Sequence, residues 1–293
     1  MAARGDGCGT ITLLTDFGAR DAYVGVMKGV ILRAFPGATV VDLTHGVPPQ
    51  DVLAGALALE GAFTYFPEGT VHVAVVDPGV GGPRRILAAE ARGYSFLGPD
   101  NGILSLALRR AGEGRVFAVS ETAVARAQDA ALPPEARESS TFHGRDRFAP
   151  LAAAIARMVC DRASLDEMGA PVEDYKRVAV AAPERRESGE IVGEVIYIDG
   201  FGDLVTNIRP EDLPETFRDG GEIEVAGLVA TGLSRAYVDA EAGAPLAIVG
   251  STGRVEMSIR DRSAARESGA GVGAKVLARN RKPGRRTSKG TTT

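Results

Sequence analysis

The chain has 293 residues, 44% of them hydrophobic, and a formal net charge of −4. This length suits one large domain or two ordinary ones, and we expect two. The overall charge gives no reason to expect nucleic acid or an anionic membrane as a partner.

The cysteines and the apolar runs bear on location. Cys8 and Cys160 are too few and too far apart to indicate a disulfide framework, which favours a reducing cytoplasm. The first nine residues lack an apolar signal core, and no run approaches 18 apolar residues. We therefore expect a soluble cytoplasmic protein. Three histidines without paired spacing predict no metal site.

The first half of the chain alternates strands with helices. This order predicts an α/β domain over residues 10–175 with a mostly parallel sheet. Residues 92–93 are expected to turn a hairpin, and residues 121–139 look variable and polar. The predicted strands are 10–14, 38–43, 71–76, 86–91 and 94–97, and the predicted helices are 21–35, 50–63, 103–110 and a final one that starts within 142–150 and runs through 158.

The second half has a different pattern. Prolines and charges over 161–190 predict a linker, and short strands without long helices then predict a small all-β, barrel-like domain over 190–275. Residues 276–293 are basic and polar and are expected to be a disordered tail. The predicted strands of this domain are 193–198, 204–208, 222–225, 246–249 and 255–259.

A candidate reactive site follows the apolar strand 71–76. Asp77 ends this strand and is followed by a turn rich in glycine and proline and by Arg84 and Arg85. Asp16 ends the first strand in the same way. Open α/β sheets bind ligands at the carboxyl ends of their strands, so both carboxylates are placed where a ligand binds. The alternative is an aspartate that only caps a turn.

Five loop clusters carry a family resemblance. They are Thr15-Asp-Phe-Gly, Asp77-Pro-Gly-Val-Gly, Phe142-His-Gly-Arg-Asp, Ile198-Asp-Gly-Phe-Gly-Asp and Gly250-Ser-Thr-Gly-Arg. As a set they closely resemble the S-adenosyl-L-methionine hydrolases, also called SAM hydroxide adenosyltransferases, which are relatives of fluorinase and chlorinase. The resemblance runs from about residue 10 to about residue 275.

The resemblance implies a fold, an assembly and a reaction. The fold is an α/β N-terminal domain followed by a β-barrel-like C-terminal domain. The assembly is a homotrimer with active sites between the N-terminal domain of one subunit and the C-terminal domain of its neighbour. In the reaction, water attacks C5′ of the ribose and expels methionine, which leaves adenosine. No cofactor is needed, because S-adenosylmethionine is the substrate.

The resemblance also implies a catalytic set. An Asp, an Arg and a His that hold the attacking water match Asp77, Arg84 and His143. Asp77 is suited to accept a proton, while Arg84 and His143 are suited to orient the water and stabilise negative charge. The sequence leaves open which group takes the proton and whether Arg85 exchanges roles with Arg84. Without this context, His143 reads as a packing residue at a helix start.

Further residues are implied as substrate contacts. Asp16 matches a carboxylate that binds the ribose hydroxyls, Asp199 one that holds the methionine ammonium, and Ser251 a residue at the amino-acid end. Asp203 stands where many relatives have Asn, and an ionised carboxylate accepts hydrogen bonds without donating any, so the purine contact is open. The full set of implied substrate contacts is Asp16, Asp21, Tyr23, Asp199, Asp203, Ser251, Glu256 and Ile259.

Three alternative functions can be compared with hydrolysis of S-adenosylmethionine. Halide transfer on the same scaffold is disfavoured, because Asp77 and His143 are present and a carboxylate repels a halide. A sensor that binds S-adenosylmethionine without turnover has no need of a water-activating trio. A generic nucleotide-binding α/β protein lacks support, since neither GxGxxG nor GxxxxGK[ST] follows an early strand.

Overall fold

The computed structural model describes residues 7–112, 114–136 and 138–280. The chain divides into two compact units, Met1–Val178 and Ala179–Thr293. The first unit is a mixed, mostly parallel α/β sheet domain, and the second is an antiparallel, nearly closed β-barrel. The predicted fold class is therefore confirmed. No helix within the described ranges is long and apolar enough to span a membrane.

The N-terminal unit is built on a seven-stranded sheet with the order β2-β1-β3-β5-β4-β6-β7. Strands β2, β1, β3 and β5 are parallel, and β4 forms an antiparallel hairpin with β5 through Arg92 and Gly93. The elements are β1 (Thr10–Thr15), α1 (Tyr23–Ala34), β2 (Thr39–Thr44), α2 (Val52–Ala62), β3 (Val71–Val75), β4 (Ile86–Ala91), β5 (Tyr94–Pro99), α3 (Ser105–Ala111), β6 (Gly114–Val119), α4 (Glu121–Ala131), α5 (Ala149–Asp161) and β7 (Gly169–Pro171).

Helix α1 shows how the apolar pattern covers one face of this sheet. Val24, Met27, Val30 and Ile31 are buried, as their helical spacing predicts. They join a core that includes the strand residues of β1 and β3 and the alanine-rich helix α5. This packing fixes the sheet under the loops that leave the carboxyl ends of β1 and β3.

Residues 121–139, which look variable and polar in the sequence, contain a helix that the sequence pattern does not predict. Residues 121–131 form helix α4, whose N-terminus is capped by Ser120: its side chain accepts a hydrogen bond from Ala123 N. The helix buries mainly alanines, among them Ala127 and Ala131. Small side chains give a weak hydrophobic signal in the sequence, although they allow the helix to pack closely against α5.

The C-terminal unit is an antiparallel sheet with the main order β12-β11-β15-β9-β10-β14-β13. Strand β8 pairs with β9 beside this path, and a bridge between Ser234 and Ile248 brings the two ends of the sheet together. The elements are β8 (Glu184–Arg185), β9 (Ile191–Ile198), β10 (Leu204–Thr206), α6 (Phe217–Gly220), β11 (Gly221–Val225), β12 (Leu228–Thr231), β13 (Pro245–Val249), β14 (Val255–Ile259), α7 (Ala264–Ser268) and β15 (Lys275–Asn280).

Strand β15 differs from the expectation of a disordered tail that begins at residue 276. Val276 and Ala278 are buried and alternate with more exposed neighbours, and the strand pairs with both β9 and β11. The basic residues of this segment hid the alternation, but Arg279 pairs with Glu222 on the neighbouring strand. The rest of the predicted tail, residues 281–293, lies outside the described residues.

The interpretation that the two cysteines are too far apart in sequence for a disulfide framework does not hold. Cys8 and Cys160 form a disulfide, with their Cα atoms 5.2 Å apart and a sequence separation of 152. The bond joins the segment before β1 to the end of α5. Folding brings these distant positions together, which spacing alone cannot reveal. The cysteine argument for a reducing cytoplasm therefore does not hold.

Because the disulfide closes a long loop, we expect Cys8→Ser to lower the free energy of unfolding by about 3 kcal/mol. Urea unfolding of the oxidised wild type and the variant measures this difference. A reductant should bring the wild type to the level of the variant and leave the variant unchanged. Two free thiols in the untreated wild type, detected by mass spectrometry after alkylation, would contradict the pairing.

Candidate active site

The first part of the site lies at the carboxyl ends of two neighbouring parallel strands. β1 pairs with β3 up to Thr15 and Val75, so Asp16 and Asp77 both leave the sheet at the same edge. Asn101 Nδ2 donates to the carbonyl oxygen of Val76 at 2.8 Å and anchors the backbone just before Asp77. The sheet thus places both predicted carboxylates at one edge.

Asp77, Arg84 and His143 form one hydrogen-bonded cluster. Arg84 Nε donates to the two carboxylate oxygens of Asp77 at 3.0 and 2.9 Å, and Arg84 Nη2 donates to Oδ2 at 2.5 Å. The same Nη2 lies 2.9 Å from His143 Nδ1. The side chains of Arg84 and Asp77 are 9% and 4% exposed. The structure therefore brings together the three residues that the sequence predicts to be catalytic.

The contact between Arg84 and His143 defines the protonation state of the imidazole. A guanidinium only donates hydrogen bonds, so His143 Nδ1 must accept and the proton of the neutral ring is on Nε2. Burial, followed by the positive charges of Arg84 and Arg147, lowers the pKa of His143, while Asp77 and Glu138 act in the opposite direction. At neutral pH His143 is therefore a neutral hydrogen-bond donor through Nε2.

Two glycines allow the loops of the cluster to meet. Gly81 has a positive φ of 77°, and a Cβ atom there would lie 2.6 Å from the carbonyl oxygen of Ser140. This contact presses the loop of Asp77 and Arg84 against the segment that leads to His143. A Cβ atom on Gly144 would in turn lie 3.0 Å from the ring of Phe17, in the loop after β1. Backbone packing therefore holds the three loops in place.

A π-helical turn over Gly144–Phe148 begins directly after His143 and continues into α5. Asp146 within it is fully buried, accepts from Ser139 N at 2.7 Å and pairs with Arg145. Such wide turns are frequent at functional sites, because they reposition a side chain at a helix start. The turn fixes the position from which His143 faces Arg84.

Arg85 has different contacts from Arg84. Its Nε donates to Asp100 Oδ2 at 2.7 Å, and its Nη1 donates to Asp174 Oδ1 at 2.9 Å. Asp100 also accepts from the backbone nitrogen of Lys176. Arg85 thus ties the segment around residue 174 to the turn after β5, on a separate set of partners from the Asp77 cluster.

The other predicted residues of this unit lie in the loop after β1 and at the start of α1. Asp16 Oδ2 accepts from Gln50 N at 2.8 Å, in the loop before α2. Tyr23, at the start of α1, is half exposed, and its ring centroid lies 5.0 Å from that of Phe142, next to His143. Asp21 is exposed in the loop between β1 and α1.

The C-terminal unit carries the second group of predicted residues. Asp199 Oδ1 accepts from the backbone nitrogens of Phe201 and Asp203 at 3.0 and 2.8 Å, so this carboxylate shapes its own loop. Tyr237 donates from its hydroxyl to Asp203 Oδ2 at 3.3 Å. Sequence reasoning missed Tyr237; an aromatic residue in a polar loop was its only signal.

Glu256 is buried in β14 beside these carboxylates. Burial, followed by the charges of Asp203 and Asp199, raises the pKa of Glu256 to about 7. Its carboxylate covers Gly250, where a Cβ atom would overlap the side-chain oxygens, and Ser251 follows in the exposed turn. Ile259, at the end of the same strand, lines a cavity together with Asp203.

Comparison with known proteins places the chain in a family. Residues 11–166 match the model of the SAM hydroxide adenosyltransferase N-terminal domain, and residues 193–277 match that of the C-terminal domain. The chain belongs to the SAM hydroxide adenosyltransferase family. The resemblance inferred from the loop motifs is thereby confirmed.

Relatives within and near this family cover most of the chain. The (R)-S-adenosyl-L-methionine hydrolase of Thermus thermophilus is 40% identical over 258 residues, which is 88% of this chain and 94% of the relative. The hydrolase of the same name from Salinispora arenicola is 38% identical and covers 87% of this chain and 92% of its own. A fluorinase from Actinoplanes is 31% identical over 69% of this chain and 72% of its own.

A solved structure has the same fold. The crystal structure of an uncharacterized conserved protein from Thermotoga maritima superimposes with a TM-score of 0.80 at 29% identity. The match covers 92% of this chain and all of the other.

We expect Gly81→Ala to lower activity at least tenfold, because the alanine methyl would push the Asp77 loop away from Ser140 in a strained backbone conformation. Steady-state kinetics on the folded variant measures the loss. The control is Gly112→Ala, which also has a positive φ but no atom within 4 Å of the added methyl. Equal effects of the two substitutions would show that the close contact with Ser140 is unimportant.

We expect Glu256→Gln to remove a pH-dependent cost of folding. The pKa of Glu256 is raised from 4.5 to about 7, so its contribution to stability is full below pH 4.5 and is lost as the pH rises through 7. The free energy of unfolding of the variant, taken relative to wild type, should therefore rise by about 3 kcal/mol between pH 4 and pH 8. Urea unfolding at both pH values measures this gain, and Glu215→Gln on the surface should show none.

Proposed function

We propose that the chain hydrolyses S-adenosyl-L-methionine to adenosine and L-methionine. The cluster of Asp77, Arg84 and His143 carries this proposal, because it combines a carboxylate, a fixed cation and a neutral imidazole donor at the edge of the sheet. Family membership and relatives named (R)-S-adenosyl-L-methionine hydrolase at about 40% identity support it.

The reaction asks little of the protein at the leaving group. A sulfonium leaves as a neutral thioether, so the site needs no general acid at sulfur. The difficult part is to place a water molecule in line with the C5′–S bond and to remove its proton as the new bond forms. A cluster that holds water is therefore the expected catalytic machinery.

We assign each member of the cluster a role. His143 Nε2–H and Arg84 donate hydrogen bonds to the attacking water and stabilise the charge of a developing hydroxide. Asp77 accepts the proton on Oδ1, which receives one bond from Arg84 and keeps a second lone pair, whereas Oδ2 receives two bonds from Arg84. The lone pair of His143 Nδ1 is occupied by Arg84, which makes the imidazole the weaker candidate for the base.

The substrate contacts are also part of the proposal. Asp16 keeps one oxygen beyond its bond to Gln50, which suits the two hydroxyls of a ribose. Asp199 and Glu256 supply negative charge for the ammonium and sulfonium groups. A buried Glu256 that is neutral at low pH would ionise beside this cation. The other proposed contacts are Asp21, Tyr23, Asp203, Ser251 and Ile259.

The proposed assembly is the homotrimer implied by the family resemblance, with active sites shared between neighbouring subunits. Size-exclusion chromatography with light scattering tests it, and a monomer would contradict both the trimer and the shared site. The cytoplasmic location expected from the sequence stays a prediction, which cell fractionation tests.

Substitutions in the cluster test the proposed activity. We expect Asp77→Asn and Arg84→Lys each to lower kcat for adenosine release from S-adenosylmethionine by about 10²-fold or more. Arg85→Lys is the matched control, because the guanidinium of Arg85 binds Asp100 and Asp174. This variant should keep wild-type kcat. Wild-type protein that binds S-adenosylmethionine without releasing adenosine would overturn the proposal in favour of a sensor.

The pH dependence of kcat/KM tests the state of His143. Burial lowers the pKa of His143 and the neutral ring is required, so activity should fall only at a pH below the usual titration range of histidine. A rate that rises as the pH falls through this range would show that the protonated imidazole is the active form.

A further inference from the structure

A row of four polar side chains lies beside the turn that carries Asp16. Thr15 Oγ1, at the end of β1, is 2.8 Å from Nδ1 of His45, which directly follows β2. His45 Nε2 lies 3.0 Å from Asp42 Oδ1 on β2, and Lys28 Nζ on α1 donates to Asp42 Oδ2 at 2.6 Å. The row leads from the partly exposed Lys28 and Asp42 to a fully buried Thr15. The proposed chemistry uses none of these four side chains.

A bulge between β1 and β2 brings His45 level with Thr15. The register of these parallel strands shifts after Leu13: this residue pairs with Asp42, but the next residue of β1 pairs with Thr44. Without the extra residue on β2, Thr44 would stand opposite Thr15. With it, that position falls to His45, and side chains at paired positions lie on the same face of a sheet.

The turn after β1 depends on His45 at both of its ends. Thr15 Oγ1, which contacts the imidazole, accepts a hydrogen bond from Phe17 N at 3.2 Å. Gly18 N donates to the carbonyl oxygen of His45 at 2.8 Å. Asp16 lies between these two anchors. His45 therefore holds the backbone on either side of the carboxylate that is proposed to bind ribose.

A hydroxyl, an imidazole and a carboxylate in a row also occur in enzymes with an activated nucleophile. Here the hydroxyl cannot reach a substrate, because Thr15 is fully buried. Its oxygen is also engaged, since it accepts from Phe17 N. The row thus ends on the backbone of the turn, which indicates a positioning role.

We propose that His45 is a positioning residue that fixes the Asp16 carboxylate for the two hydroxyls of a ribose. The inference rests on the proposed function for the ligand of Asp16. A carboxylate accepts from two neighbouring hydroxyls only when it is well oriented, so a small movement of the turn weakens both bonds. Asp42 orients the imidazole: a carboxylate only accepts, so the proton of the neutral ring is on Nε2 and Nδ1 accepts from Thr15.

Two amide variants separate the two nitrogens of the ring. The amide of Asn reaches the position of Nδ1, so His45→Asn keeps a partner for Thr15. The amide of Gln reaches the position of Nε2, so His45→Gln loses that partner. By calorimetry on the full chain, His45→Gln should weaken adenosine binding about tenfold, and His45→Asn should stay within about threefold of wild type. Wild type and both variants should bind 2′,3′-dideoxyadenosine, which lacks the two hydroxyls, with equal affinity.

A second pair of variants tests the row from its other end. Thr15→Val keeps the buried shape without the hydroxyl and should also weaken adenosine binding about tenfold. Thr15→Ser keeps the hydroxyl and should bind adenosine like wild type. This pair decides the question even if His45→Gln fails to fold. In an Asp16→Ala background, His45→Gln should cause no further loss of adenosine affinity, because both residues act through one contact.

The outcomes separate this inference from the proposed function. If the variants without the bond between Thr15 and His45 bind adenosine like wild type, or lose the same factor for dideoxyadenosine, the positioning role is overturned. Wild-type protein that binds both nucleosides equally, or neither, also overturns it, since Asp16 then does not recognise the ribose hydroxyls. If the hydroxyl-dependent loss is found but S-adenosylmethionine is not hydrolysed, the proposed function fails while the positioning role holds.

Discussion

The pairing of Arg84 with Asp77 is the interaction on which the proposed chemistry depends. Both side chains are nearly buried, and neither charge would be stable there without the other. Nη2 of Arg84 binds Asp77 and also reaches His143 Nδ1, which fixes the tautomer of the imidazole. Removal of either partner would strand a buried charge and free the imidazole. The fold therefore serves to bring three loops to one place at the edge of the sheet.

Charge organises the C-terminal unit in a complementary way. Asp199, Asp203 and Glu256 concentrate negative charge, and burial together with the charges of Asp203 and Asp199 raises the pKa of Glu256. Burial and mutual repulsion thus make this unit a poor site for a halide or another anion. They suit a ligand that brings a sulfonium and an ammonium group, which would relieve the repulsion on binding.

The sequence predicted the parts that depend on local pattern. Strong alternation of apolar strands and helices indicated the α/β unit, and the Asp77 and His143 motifs indicated the cluster that we propose to be catalytic. The sequence could not predict contacts between distant segments, such as the Cys8–Cys160 disulfide or the close approach of Gly81 to Ser140. Helix α4 was missed because alanines gave little signal, and β15 because basic residues resembled a tail. The sequence also could not distinguish the partners of Arg84 from those of Arg85.

Direct attack of water at C5′ of the ribose is the step that we propose for the cluster of Asp77, Arg84 and His143. The most direct measurement is hydrolysis of S-adenosylmethionine in water enriched in oxygen-18, followed by mass spectrometry of both products. Direct attack predicts one heavy oxygen in adenosine, on the 5′ hydroxyl, and none in methionine. Adenosine without the heavy label, or a label that appears in methionine, would contradict attack by water at this carbon.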